Sequence, residues 1–204
     1  MKEEVPAKPV YGQFVEAEGV LADQLRFLAL AVSDDSTRYF MCRIEVEEVE
    51  PATEERKYPI LRGISTDGRR MHIIEPLAPS AVLVCGMSPG GWHVVAKNSK
   101  RVQLAKYNEP SGKFPNWSKV VPDGQPEYKT EFTGVSLKGS DLYRHTPDLL
   151  RLFRSFPEPT AINLQYLADL GLGRDWKVDW YAPNRAIVFT SGVFKSVIMP
   201  MEAG

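Results

Sequence analysis

The chain has 204 residues, 43% of them hydrophobic, and its 25 Lys and Arg stand against 26 Asp and Glu for a formal net charge of −1. That is enough apolar material for one large domain or two small ones, without disulfides or metals to hold them together. The near-neutral balance excludes a global field that draws the protein onto nucleic acid, so any DNA contact has to come from a local patch. Cys42 and Cys85 lie in apolar runs without metal-ligand spacing, which points to buried, reduced thiols and a cytoplasmic setting. No apolar run approaches about 20 residues, and the N-terminus carries charges and prolines, so a soluble, non-exported protein without a membrane partner is expected.

In chain order, residues 1–10 read as a flexible arm and residues 11–17 as a short strand. Leu21, Leu25, Leu28 and Val32 recur at three- and four-residue steps, which predicts a helix with one buried face over residues 20–32, ended by Asp34-Asp35-Ser36. Residues 38–49 alternate, with Phe40, Cys42, Ile44 and Val46 on one face, as in a half-buried strand. An acidic loop follows over 47–57. Residues 58–65 and 71–75 then form a hairpin around Asp67-Gly68, where Gly supplies the positive φ of a tight turn and Asp caps it.

Beyond Pro76 the apolar run 81–87 predicts a buried strand. A turn at Ser88-Pro89-Gly90-Gly91 leads to strands at 92–96 and 101–107 around Asn98-Ser99, and no helical period is visible between 77 and 110. A Pro- and Gly-rich segment covers 110–126. Residues 128–137 form a strand that Gly134 weakens. Thr146-Pro147-Asp148 is a helix start with Pro at the first position, leading through Leu149, Leu150, Leu152, Phe153 and Phe156. Asn163 caps a second helix over 164–170, ending at Gly171 or Gly173, and three strands follow at 176–181, 185–190 and 193–199.

Five stretches stand in a telling order: Arg38-Tyr39-Phe40-Met41, Thr66-Asp67-Gly68-Arg69-Arg70-Met71, Gly112-Lys113-Phe114-Pro115-Asn116-Trp117 with Val120-Val121-Pro122, the run from Ile162 to Leu170, and Val197-Ile198-Met199-Pro200-Met201. Together they resemble the landmarks of the bacterial DNA polymerase III beta subunit, the sliding clamp, whose forms are RYxLNG, TDGHRL, FPDY, FNxxYLLDAL and a terminal VMPM. The resemblance covers residues 11–76, 112–122 and 161–201. It implies an α+β DNA-clamp fold built from strand-helix-three-strand half-units, condensed relative to a full three-domain clamp. Two divisions are compatible with it. In one, residues 11–122 resemble the middle clamp domain without its second helix and residues 123–204 form a shortened C-terminal unit. In the other, a single clamp domain of residues 11–76 plus 157–201 carries an insertion at 77–156.

The resemblance also implies a site, an apolar groove that captures short linear peptides of DNA polymerase, clamp loader and repair proteins. Carried over residue by residue, its members are Met41, Thr66, Gly68, Arg69, Arg70, Met71, Pro115, Lys119, Val120, Val197, Ile198, Met199, Pro200 and Met201. Methionines repack around different anchors, Gly68 admits a close backbone, and Arg70 would meet a peptide carboxylate or carbonyl. Arg69 stands where the family has His, and Glu202 where it usually has a cation, so the charge at the groove mouth is altered. Double-stranded DNA would be met by Arg26, Arg144, Arg151 and Arg154, with His145 nearby, although such a cluster is also what a solvated helical face looks like.

Catalysis is not indicated. His72, His93 and His145 have no paired ligand spacing, no phosphate loop, dinucleotide fingerprint or nucleophile elbow is present, and no cofactor is expected. The sequence therefore reads as a non-catalytic clamp-like protein, either a processivity factor or a regulator competing for clamp-binding motifs. A structural or mobile-element protein that has kept only the fold is the alternative, and homo-oligomer formation is left open.

Overall fold

Leu21, Leu25 and Leu28 occupy one fully buried face of helix α1 (Gly19–Ala29), as their spacing predicts. The computed structural model describes residues 11–35, 41–107, 113–136, 141–158, 160–171, 173–182 and 185–201. The arm, Arg38-Tyr39-Phe40, Gly112 and Glu202 lie outside the described residues. The strands are β1 (Tyr11–Glu18), β2 (Ile44–Glu50), β3 (Ile60–Thr66), β4 (Arg70–Ile74), β5 (Gly90–Lys97), β6 (Arg101–Tyr107), β7 (Tyr128–Thr133), β8 (Asp175–Trp180), β9 (Ile187–Ser191) and β10 (Phe194–Ile198). The further helices are α2 (Pro79–Cys85), α3 (Asp141–Ser155) and α4 (Leu164–Ala168).

All ten strands join one antiparallel sheet in the order β1-β6-β5-β2-β3-β4-β10-β9-β8-β7. Two units of similar connectivity compose it, β1-α1-β2-β3-β4 and β7-α3-α4-β8-β9-β10. They meet where β4 pairs with β10, from Ile74 opposite Phe194 to Arg70 opposite Ile198. The β5–β6 hairpin is inserted between β1 and β2.

Strand alternation sends side chains to two faces. The helix-covered face carries the large core, in which α1 leucines meet Ile44, Leu61, Ile74, Trp92, Leu104, Trp176, Phe189 and Ile198. The opposite face carries a smaller cluster of Ile64, Met71, Ile73, Ala186, Val188 and Val197, closed by Phe114 from the segment before β7.

The sheet also finishes α1. The last carbonyls of a helix have no intrahelical donor and attract cations or hydroxyls. Here Ser65 Oγ donates to the Leu28 carbonyl at 2.6 Å, His72 Nδ1 lies 2.7 Å from the Phe27 carbonyl, and the Arg70 guanidinium donates to the Leu30 carbonyl. Because the Phe27 oxygen can only accept, His72 Nδ1 carries the hydrogen.

Four expectations are corrected. Residues 81–87 are not a strand, because Pro79–Cys85 is helical and Gly86 ends it at φ 74°. The region after Pro76 therefore does contain a helix. α3 starts at Asp141, so Pro147 lies inside the helix rather than at its first position. β7 stops at Thr133 because the backbone of Gly171 and Arg174 closes against Gly134, where an added Cβ would fall 1.9 Å from the Gly171 carbonyl oxygen. Gly134 N donates to the Arg174 carbonyl at 2.8 Å and Gly173 N to the Gly134 carbonyl at 2.9 Å. Finally, Cys42 and Cys85 are half-buried rather than buried. Partial burial, with Asp35 and Asp34 nearby, pushes the Cys42 thiol pKa up.

Candidate peptide-binding surface

The Asp67-Gly68 turn is fixed by its own side chains. Asp67 Oδ1 accepts from the backbone N–H of Arg69 (2.9 Å) and of Arg70 (3.0 Å), and Thr66 Oγ1 accepts from Gly68 N (3.0 Å) while donating to the Arg70 carbonyl (2.7 Å). Gly68 takes φ 88°, the left-handed geometry that disfavours side chains. All four of these bonds lie within residues 66–70.

The terminal strand runs beside it. Val197 lies opposite Met71, Ile198 opposite Arg70, and Met199 N donates to the Arg69 carbonyl at 2.9 Å. Met201 continues into a bridge with Ala161, its N–H donating to that carbonyl at 2.9 Å. Residues more than 120 positions apart are therefore neighbours because antiparallel pairing joins the two units at this seam.

The segment around Phe114 reaches the same face. Phe114 is buried against Met71, Val197 and their neighbours, with Trp117, Val121, Tyr181 and Met199 packed around the cluster. Trp117, in a single 3-10 turn (Trp117–Lys119), donates from its indole to Glu47 Oε1 at 3.0 Å, and the Arg62 guanidinium lies 4.8 Å from its ring centre. Arg62 in turn pairs with Glu47 and Glu75, at 3.6 and 2.6 Å.

Of the expected groove residues, Gly68, Arg69, Lys119, Val120 and Met201 are exposed, and Pro115, Met199 and Pro200 are half-buried. Met71 and Val197 lie beneath them in the apolar cluster. Ile198 points to the other face and belongs to the helix-side core. Met41 is buried, and its carbonyl accepts from Ser33 N at 3.1 Å. Arg70 is the main correction. Its guanidinium is held by Asp67 at 3.0 Å, by Asp169 and by the Leu30 carbonyl, and it lies 4.4 Å from the Tyr166 ring centre. It is a strut between the hairpin and α4, not a hand held out to a peptide.

Phe114, Trp117, Val121, Tyr181 and Val188 complete the cluster and were outside the expected site. Phe114, Trp117 and Val121 lay within the landmark stretches, and alternation places Val188 on the face opposite Ile187 and Phe189.

No protein-family model and no curated protein matches the chain. Solved structures do. A sliding clamp from Bartonella birtlesii, bound to griselimycin, superposes on 99% of this chain and 70% of its own, with TM-score 0.55 and 18% identity. The fold is that of a bacterial sliding clamp. The clamp from Caulobacter crescentus gives 98% and 69% coverage, TM-score 0.56 and 15% identity. The Helicobacter pylori beta clamp, bound to a DNA ligase peptide, gives 98% and 69%, 0.56 and 11%. The present clamp fold is thus shorter than those, as the resemblance implied.

The expected DNA residues are not gathered into one site. Arg26 is tied to Asp23 and donates to the Asn98 carbonyl at 3.0 Å. Arg144, Arg151 and Arg154 are exposed on α3 and form no ion pair among the described residues, while His145 lies 3.7 Å from Asp148. A cleft of about 580 Å³ between α3 and β7–β9, lined by Glu131, Asp148, Arg151, Asp175 and Lys177 among others, contains none of the groove residues. Among the described residues no group of three or more His, Cys, Asp or Glu could hold a metal ion, and no helix is long and apolar enough to cross a membrane.

Proposed function

We propose that this chain is a clamp-like accessory protein of DNA replication or repair that holds short linear segments of its partners against the surface made by the 66–71 hairpin and the 197–201 strand. The observation that carries the reading is the Met199–Arg69 backbone bond. It sets a strand end bearing Met199, Pro200 and Met201 beside a rigid turn, with the Val120 segment on the same face. Thioethers suit this work, because an unbranched, polarizable side chain repacks around Leu or Phe anchors of different shape. The peptide-bound Helicobacter pylori clamp offers a precedent on the same fold.

No catalytic group is assigned, and DNA encirclement is left out of the reading because the arginines expected to meet DNA are not gathered into one site, with Arg26 tied to Asp23 and the others on α3. The expected partners are polymerase, clamp-loader or repair proteins, each through a short motif with two apolar anchors. Fluorescence polarization of a labelled ligase-derived or polymerase-derived clamp-binding peptide checks this. Saturable binding that a scrambled peptide fails to show is the expected result, and equal binding of both peptides removes the reading.

A further inference from the structure

Strand register builds the floor of the cleft between α3 and β7–β9. Phe132 lies opposite Trp176, and because Lys177 lies opposite Thr190, Trp176 stands beside Ser191 of the next strand. Phe132 and Trp176 belong to the helix-side core, which Leu149 and Leu152 of α3 share. Arg151, between those two leucines in sequence, lines the same space as Phe132, Trp176 and Ser191. The cleft measures about 580 Å³, which is the size of a small-molecule site rather than of a bare ion.

The polar groups here are short of acceptors. Trp176 is 1% exposed, and its indole Nε1 is buried with no acceptor among the described residues. A buried donor left unpaired has lost its hydration without a replacement, so such groups are rare in folded proteins and point to a further binding partner. Arg174 Nη1 is a second one, on a guanidinium 5.8 Å from the Trp176 ring centre. Among the charges lining the cleft, Asp148 Oδ2 lies 3.7 Å from His145 Nδ1, and Asp175 Oδ1 accepts from Thr133 Oγ1 at 2.7 Å. Glu131 and Lys177 lie opposite one another across β7 and β8 and offset each other in sign. The Arg151 guanidinium is left, exposed and without an ion pair among the described residues.

We propose that this cleft binds a small organic anion, whose carboxylate or phosphate oxygens accept from Trp176 Nε1, the Ser191 hydroxyl and the Arg151 guanidinium. The two neutral donors fix the position of the oxyanion, and the guanidinium supplies the charge-assisted bond. Duplex DNA suits the cleft less well, because its backbone meets groups that a surface presents, whereas the indole here lies within the fold. None of the peptide-surface residues lines the cleft, so the inference stands or falls separately from the proposed function.

Isothermal titration calorimetry of the full chain with inorganic phosphate, malonate and adenosine monophosphate, each alone, tests it. Saturable binding of at least one is expected, and the one preferred tells a phosphate ligand from a carboxylate. Arg151→Gln is expected to weaken that binding by about tenfold, as befits loss of a charge-assisted bond, and Ser191→Ala by less. Trp176→Phe, which removes Nε1 and keeps an aromatic ring, is expected to weaken it too, with circular dichroism checking that all three variants fold. The two variants outside the core keep the test decisive if Trp176→Phe does not fold. Lack of binding by all three anions at millimolar concentration overturns the inference. So does binding that Arg151→Gln and Ser191→Ala leave unchanged, or a bound anion that a duplex oligonucleotide displaces.

Discussion

Arg70, at the tip of the β3–β4 hairpin, and Asp169, at the end of α4, are 99 residues apart and form an ion pair in which the side chains are only 10% and 13% exposed. The same guanidinium binds Asp67, caps α1 at Leu30 and lies over Tyr166. One side chain thus ties the turn that shapes the candidate site to the two helices beneath it.

Removing one partner of a buried pair leaves the other desolvated and unpaired, which costs about 3–5 kcal/mol. Arg70→Met is therefore expected to lower unfolding free energy by about 3 kcal/mol, and Asp169→Asn by less, because Arg70 keeps Asp67 and the Leu30 carbonyl. Lysine does not rescue, since an ammonium lacks the planar fork that reaches several acceptors at once. Urea denaturation of both singles and the double gives the coupling, which is expected to exceed about 1 kcal/mol.

His72 sets a pH dependence. It is fully buried, its ring stacked on Phe27 with centroids 4.0 Å apart, and burial lowers its pKa from 6.5 to about 3, with Arg70 adding to the fall and the Phe27 and Asp67 oxygens opposing it. The unfolded chain then binds the proton more readily than the folded one. Stability is present above pH 6.5 and is lost as pH falls from 6.5 toward 3, by up to about 1.4 kcal/mol per pH unit. His93, lowered to about 4 chiefly by its burial, acts in the same direction. Chemical denaturation between pH 7 and pH 4 checks this, with His72→Asn expected to flatten the slope without abolishing it.

Phe114 holds the 113–121 segment on the sheet. Phe114→Ala is expected to cost about 3 kcal/mol, the usual size for emptying a buried aromatic site. It should also weaken peptide binding, because Val120 and Lys119 lose their support. Thermal melts and peptide titration of the same variant separate the two effects.

Much of this fold was legible because local signals agreed with the global arrangement. The leucine spacing of α1, the Asn163 side chain accepting from Gln165 N at 2.9 Å, and Asp67-Gly68 are each set by a few neighbouring residues. Helix α2 was hidden because Ala81-Val82-Leu83-Val84-Cys85 is apolar throughout, and a short run without period reads equally as strand or helix. Pro79 at its start and Gly86 just past its end were the signals that could have decided it. Pro147 misled in the other direction, since a proline that suits a first turn is here tolerated inside α3.

The site was legible in part. Motif order was enough to expect the hairpin tip and the terminal methionines in one place, but not which face each side chain takes. Ile198 turns to the helix-side core while Val197 turns to the small cluster, a consequence of register that only the β4–β10 pairing fixes. Nor does sequence show that Arg70 is already occupied, because its partners Asp169 and Leu30 come from distant segments.

The most direct test of the central claim is a titration of one clamp-binding peptide against wild type and Met199→Ala. A half-buried methionine at the edge of the apolar cluster contributes anchor contacts without holding the core. The account therefore predicts unchanged folding and affinity weaker by about tenfold, or about 1.4 kcal/mol. Wild-type binding no tighter than that of a scrambled peptide, or equal affinity for the two proteins, would contradict it.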